Sequence, residues 1–179
     1  MLRALILALL LPTLALAAPR PVTGLLEKGS TLPATIPLQV RAPGDRDHAV
    51  ILRDSDGAPV ISGYLRGGEV LRLLVPPGRH RLLIASGRSD DWQGPDRLFG
   101  DGTQTLDLPL FFRIDGNRRI GESIVLTERN GGLRITDRES RTICQIADWS
   151  VERRTEIAPG GTPLRWLDPQ LDTRSRPCD

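Results

Sequence analysis

An all-β fold is predicted for this chain of 179 residues: a single antiparallel β-sandwich, with a small barrel as the alternative. Three observations lead there. Short runs of aliphatic and β-branched residues alternate with Gly, Pro and Asp turn clusters through the middle of the sequence. No window keeps apolar residues at i, i+3 and i+4 for three turns, so no amphipathic helix is expected. Eighteen Gly and 15 Pro beside 39% hydrophobic residues fit a turn-rich globular domain and exclude collagen, coiled coil and disorder. The length suits one domain with its own core.

Residues 1–17 read as a signal peptide. Met1-Leu2-Arg3 is a short positive start, and Ala4 to Leu16 is apolar apart from Thr13. Ala15-Leu16-Ala17 is the small-x-small pattern that signal peptidase accepts, so cleavage is expected after Ala17. The apolar run falls short of the roughly 20 residues a membrane span needs, and no stable span is expected after cleavage. No cysteine follows the run, so lipoprotein processing is not expected. The predicted destination is the periplasm or the exterior.

Residues 18–35, with Pro19, Pro21, Pro33, Gly24 and Gly29, read as an irregular leader. The β domain is placed at 36–148. Its first run is Ile36 to Arg41. His48 to Arg53 and Pro59 to Arg66 flank Asp54-Ser55-Asp56-Gly57, whose Asp-Gly pair signals a hairpin. Glu69 to Val75 follows Gly67-Gly68, and Arg79 to Ser86 follows Pro76-Pro77-Gly78. After a long loop come Thr103 to Leu108, Leu110 to Asp115 and Ser123 to Glu128. The turn Asn130-Gly131-Gly132 leads into Leu133 to Thr136 and Thr142 to Ala147.

Residues 149–179 change character, with Pro159, Gly160, Gly161, Pro163, Pro169 and Pro177. They read as an extended strap laid over the sandwich, with Leu164, Trp166 and Leu167 as an apolar anchor; a free disordered tail is the alternative. In an oxidising compartment Cys144 and Cys178 are expected to form a disulfide tethering this tail. The competing arrangement keeps Cys144 reduced and buried and pairs Cys178 with another chain.

The stretch from His48 to about Arg134 carries Arg66-Gly67-Gly68-Glu69, Val75-Pro76-Pro77-Gly78, Ala85-Ser86-Gly87, Trp92-x-Gly94 and Leu98-Phe99-Gly100. In that order these elements resemble an uncharacterised bacterial β domain. A looser similarity connects the chain to transthyretin-like and carboxypeptidase-regulatory-like sandwiches. The first resemblance implies a non-catalytic β module, and the second speaks to fold alone.

The composition narrows function further. Lys plus Arg number 24 against 22 Asp plus Glu, a net charge of +2, and Lys28 is the only lysine. The Arg pairs at 79/81, 118/119 and 153/154 each sit near acids, so no nucleic-acid footprint is expected. Two histidines and two cysteines cannot furnish a four-ligand zinc site without carboxylates. No metal, cofactor or catalytic residue is assigned. His80 alternates with Leu82 and Ile84 and is expected to face inward, whereas His48, beside Asp45 and Asp47, suggests a surface ion pair.

The candidate site is the loop Gly87 to Gly102, long for a hairpin connection. Trp92, Phe99, Asp90, Asp91, Asp96 and Asp101 are its candidate binding residues. Two duller or different roles compete: the aromatics fold back as plugs while the aspartates cap turns, or the carboxylates chelate Ca²⁺. The sequence thus points to an exported β module that binds an envelope or extracellular protein. A small-ligand or calcium-dependent module using the same loop is the alternative, and a hydrolase with an unrecognised site is a third reading.

Overall fold

The computed structural model describes residues 18–129 and 132–178. The predicted signal peptide and Asn130-Gly131 lie outside the described residues. The described residues form ten strands: β1 (Gly24–Lys28), β2 (Ile36–Arg41), β3 (Asp47–Arg53), β4 (Pro59–Leu65), β5 (Val70–Val75), β6 (Gly78–Gly87), β7 (Gln104–Asp115), β8 (Arg118–Arg129), β9 (Gly132–Ile157) and β10 (Pro163–Pro177). Two single 3₁₀ turns, Ser89–Asp91 and Gly100–Gly102, interrupt the long loop. No α-helix occurs among the described residues.

Eight strands follow one hydrogen-bonded path, β1-β4-β3-β6-β7-β8-β2-β5, and β9 joins β8 to β10. The fold is therefore all-β, and the sheet is barrel-like, the alternative that the sequence leaves open. β7 turns the corner: it pairs with β6 through Phe112 and with β8 from Arg113. Pro109 sits within β7, which reads as two runs in sequence. It is tolerated because β7 has a partner on only one side there, so the missing N–H costs no ladder bond.

Alternation builds the core. Leu71, Leu73 and Val75 of β5 are buried while Arg72 and Leu74 face out. With Ile36, Leu38 and Val40 of β2, Val50 and Leu52 of β3, Leu110 and Phe112 of β7, and Ile124 and Leu126 of β8, they form the main cluster. Each such side chain contributes about 1.5–3 kcal/mol by leaving water.

Three expectations are corrected. The sheet is not wholly antiparallel, since β2 runs parallel to β8, Leu38 opposite Glu122 and Val40 opposite Ile124. Gly121 makes that approach feasible, because a Cβ there would land on the Pro37 carbonyl. The leader is not wholly irregular, since β1 pairs with β4. Finally, residues 149–178 do not lie over the body. With Ile143 to Asp148 they form a long hairpin, β9 up to Ile157 and β10 from Pro163, whose ladder runs without a shift from Ile143–Pro177 to Ile157–Pro163.

Cys144 and Cys178 form a disulfide at the base of that hairpin, with their Cα atoms 5.1 Å apart. The bridge closes the whole β9–β10 arm into one covalent loop of 34 residues' separation. By the chain-entropy account this contributes about 3–4 kcal/mol.

Candidate functional site

Two surfaces stand out, one capped by the chain itself and one left uncapped. The capped surface is the outer face of β3, β4 and β6. Small side chains, Ala49 on β3 and Ala85 on β6, leave room beside Tyr64 on β4, and Trp92 and Phe99 fill it. The Trp92 ring meets Tyr64 edge-on at 4.8 Å and Phe99 at 5.2 Å. Both loop aromatics are buried, at 2% and 1% exposure. The loop is thus a lid folded onto the sheet, and its rings are not offered to a partner. Gly87 marks how tight the lid is, because a Cβ there would fall within the Phe99 side chain. Paired backbone bonds, Leu98 N–H to Gly94 O at 2.8 Å and Gln93 N–H to Leu98 O at 2.7 Å, close the loop. They hold Leu98 in the left-handed region at φ 53°, which is strained for a side chain other than glycine.

The lid's four aspartates do not share its interior. Asp90, Asp91, Asp96 and Asp101 are all exposed. No group of three metal-ligating side chains gathers among the described residues. Asp54 shows the ordinary use of such residues: its Oδ1 accepts from the N–H groups of Asp56 and Ala58 at 3.0 and 2.8 Å, which makes the expected hairpin turn. Between lid and sheet lies a cavity of about 210 Å³ lined by Leu26, Ala49, Ile51, Ser62, Asp96 and Leu98 among others. Ser62 is buried and its hydroxyl has no hydrogen-bond partner.

Beside the lid lies a buried carboxylate that local sequence does not reveal. Asp47 is 2% exposed. Its Oδ2 accepts from Arg20 Nε at 2.7 Å and from the Tyr64 hydroxyl at 2.7 Å, and its Oδ1 from Arg20 Nη2 at 2.9 Å and Gly67 N–H at 3.0 Å. Burial pushes this carboxyl up. The Arg20, Gly67 and Tyr64 hydrogen bonds with the Arg20 charge outweigh it and hold the group below its usual range. The clamp fastens the residues that follow the predicted cleavage position, and Ala18 itself packs against the Trp92 cluster. Arg66 reinforces it, donating from Nε to the Pro21 carbonyl at 2.8 Å.

His48 is not the surface ion pair expected of it. It is 1% exposed, and neither ring nitrogen has a hydrogen-bond partner. Burial pulls its pKa down to about 4, against the pull of neighbouring Asp47 and Asp45. Asp47, its neighbour on the strand, faces the other way and belongs to Arg20. His80 faces inward with Leu82 and Ile84, as the alternation of β6 predicts, and its ring lies 6.0 Å from Phe112.

The uncapped surface is the β9–β10 arm. Residues paired across the ladder share a face, so odd-numbered positions of both strands lie together. That face carries Trp149 opposite Leu171, Val151 opposite Pro169, Arg153 opposite Leu167 and Ile157 opposite Pro163. Trp149, Ile157 and Leu167 are 71%, 73% and 65% exposed. The even-numbered face carries the paired segments' acids, with Arg154 paired to Asp168 at 3.1 Å and Arg174 to Asp148 at 2.8 Å, and it also exposes Trp166 and Leu164. The arm's apolar alternation was visible in sequence, but the prolines masked it. Pro163, Pro169 and Pro177 fall at one parity of an unshifted ladder. Their missing N–H groups therefore all point to the outer edge of β10, where no strand pairs.

No known protein family, curated protein or solved structure matches the chain.

Proposed function

We propose that the chain is an exported, non-catalytic interaction module whose docking element is the β9–β10 arm. One observation carries this reading: a fifteen-pair ladder, two-stranded beyond Cys144, keeps large apolar side chains in water. A two-stranded ribbon is marginal in water on its own, and its apolar face is stabilised when something covers it. The internal ladder and the basal disulfide hold the arm ready, which lowers the ordering cost of binding.

Export is supported by the disulfide, which fits an oxidising compartment. No helix among the described residues is long and apolar enough to cross a membrane. The Arg20–Asp47 clamp supports cleavage after Ala17, since it fixes the new end of the chain to the body. A non-catalytic role is supported by the burial of both histidines. The partner is an envelope or extracellular component.

The test is co-purification from cells after in-cell crosslinking of the tagged, exported chain. A partner retained by wild type and by Asp96→Asn, and lost with Leu167→Asp, supports docking through the arm. Equal retention by Leu167→Asp removes the arm from the reading.

A second reading has its own observation, the Ser62 hydroxyl buried without a partner at the cavity beneath the lid. It supports a small polar ligand held between the loop and β1, β3 and β4. A ligand screen by thermal shift tests it: a hit must raise the melting temperature of wild type and not of Ser62→Val.

A further inference from the structure

We infer that the odd-numbered face of the β9–β10 arm lies flat on an anionic lipid surface. The inference rests on the arm being the docking element, and adds which face docks and what it meets. Its ground is the juxtaposition of Trp149, Leu167 and Leu171 with Arg153 and Arg165 on a face that contains no acid.

All five acidic residues of the paired segments, Asp148, Glu152, Glu156, Asp168 and Asp172, fall on the opposite face. The separation holds along fifteen ladder pairs, a length of about 50 Å at roughly 3.3 Å per residue. A protein partner requires such separation only where its own carboxylates touch. A surface that is negative throughout requires it along the whole arm. The side chains suit that surface. Trp prefers the headgroup boundary, Leu and Val bury at the acyl edge, and Arg lays its stem on apolar surface while its guanidinium reaches phosphate.

The other occupants fit less well. Two copies stacked by this face would bring together four arginines and no carboxylate. Addition of a strand to β10 is obstructed by the three prolines on its outer edge. The opposite face also exposes Trp166 and Leu164, but its five acids, two of them paired with Arg154 and Arg174, are repelled by an anionic surface and leave it to water.

The experiment is flotation of the full mature chain, disulfide intact, with vesicles of phosphatidylcholine alone or mixed with phosphatidylglycerol. The mixed vesicles are expected to bind and the neutral ones to bind much less, with binding weakening as salt rises. An arginine at such a surface contributes about fivefold, so Arg153→Gln with Arg165→Gln is expected to cost about 25-fold. Arg154→Gln with Arg174→Gln removes the same charge from the other face and is expected to change binding little. Circular dichroism and intact mass confirm that each variant folds with its disulfide. Equal binding to both vesicle types, or equal loss from both arginine pairs, overturns the inference. So does concentration-dependent dimerisation through Trp149 without vesicle binding, which assigns the face to a second copy. No vesicle binding together with arm-dependent capture of an envelope protein overturns the lipid assignment and leaves the interaction-module reading standing. Loss of both overturns both.

Discussion

Arg20 and Asp47, 27 residues apart, form a two-pronged ion pair at 2.7 and 2.9 Å that ties the start of the described chain to the first residue of β3. The two partners are unequal, since the Asp47 side chain is buried and that of Arg20 is about half exposed. Asp47→Ala leaves the Tyr64 hydroxyl and the Gly67 N–H without their acceptor and is expected to cost about 3 kcal/mol. Arg20→Ala is expected to cost less, because water reaches that end of the pair and the Tyr64 and Gly67 hydrogen bonds to Asp47 remain. Urea unfolding of the two variants checks the ranking, and a larger loss for Arg20→Ala would contradict it.

The lid is predicted to contribute stability through its rings and little through its acids. Trp92→Ala and Phe99→Ala each empty a buried aromatic site and are expected to cost about 3–5 kcal/mol. Asp90→Asn, Asp91→Asn, Asp96→Asn and Asp101→Asn are exposed changes, each expected within about 0.5 kcal/mol of wild type. Gly87→Ala forces Phe99 out of its place, so it should resemble Phe99→Ala more than an ordinary strand substitution. Thermal melts of the series provide the comparison.

His48 makes stability depend on pH. Its pKa in the fold is about 4, below the usual value of 6.5. The unfolded chain therefore takes up a proton at this residue that the folded chain refuses. The contribution of neutral His48 is fully present above pH 6.5 and is lost as pH falls from there towards 4, by about 3 kcal/mol in total. His48→Leu is expected to flatten that part of the profile. Asp47, held below its usual range, acts in a separate window, losing its contribution only as pH falls below about 4. Urea midpoints measured across both windows separate the two residues.

Reduction of Cys144–Cys178 is predicted to loosen the arm before the body. The bridge spans the arm's base, and Cys144→Ser with Cys178→Ser should cost about 3–4 kcal/mol of arm closure. Hydrogen exchange should accelerate across β10 and residues 145–157 while β2 to β7 keep their protection. Uniform loss of protection would place the bridge in the body's own stability.

Much of this was legible in sequence because it is local. Alternation placed β2 to β6 within a residue or two, the Asp54 turn declared its hairpin, and the inward run of His80, Leu82 and Ile84 followed from period two. The disulfide followed from compartment chemistry. What stayed hidden is non-local. Nothing beside Asp47 announces an arginine 27 residues earlier, so its burial and that of His48 looked like surface charge. The parallel β2–β8 pair depends on a close approach at Gly121 that no neighbouring residue signals. The arm stays hidden because Pro159, Pro163, Pro169 and Pro177 make residues 149–179 read as an extended strap. Only the pairing register shows that Pro163, Pro169 and Pro177 all face an unpaired edge.

The most direct test of the central claim is site-resolved photocrosslinking in cells, with a photoreactive residue placed in turn at Trp149, Leu167, Asp96 and Leu25. Specific adducts to lipid or protein at Trp149 and Leu167, with few at Asp96 and Leu25, are the predicted result. Absence of adducts at both arm positions, or equal labelling at all four, would contradict the assignment of the arm as the docking element.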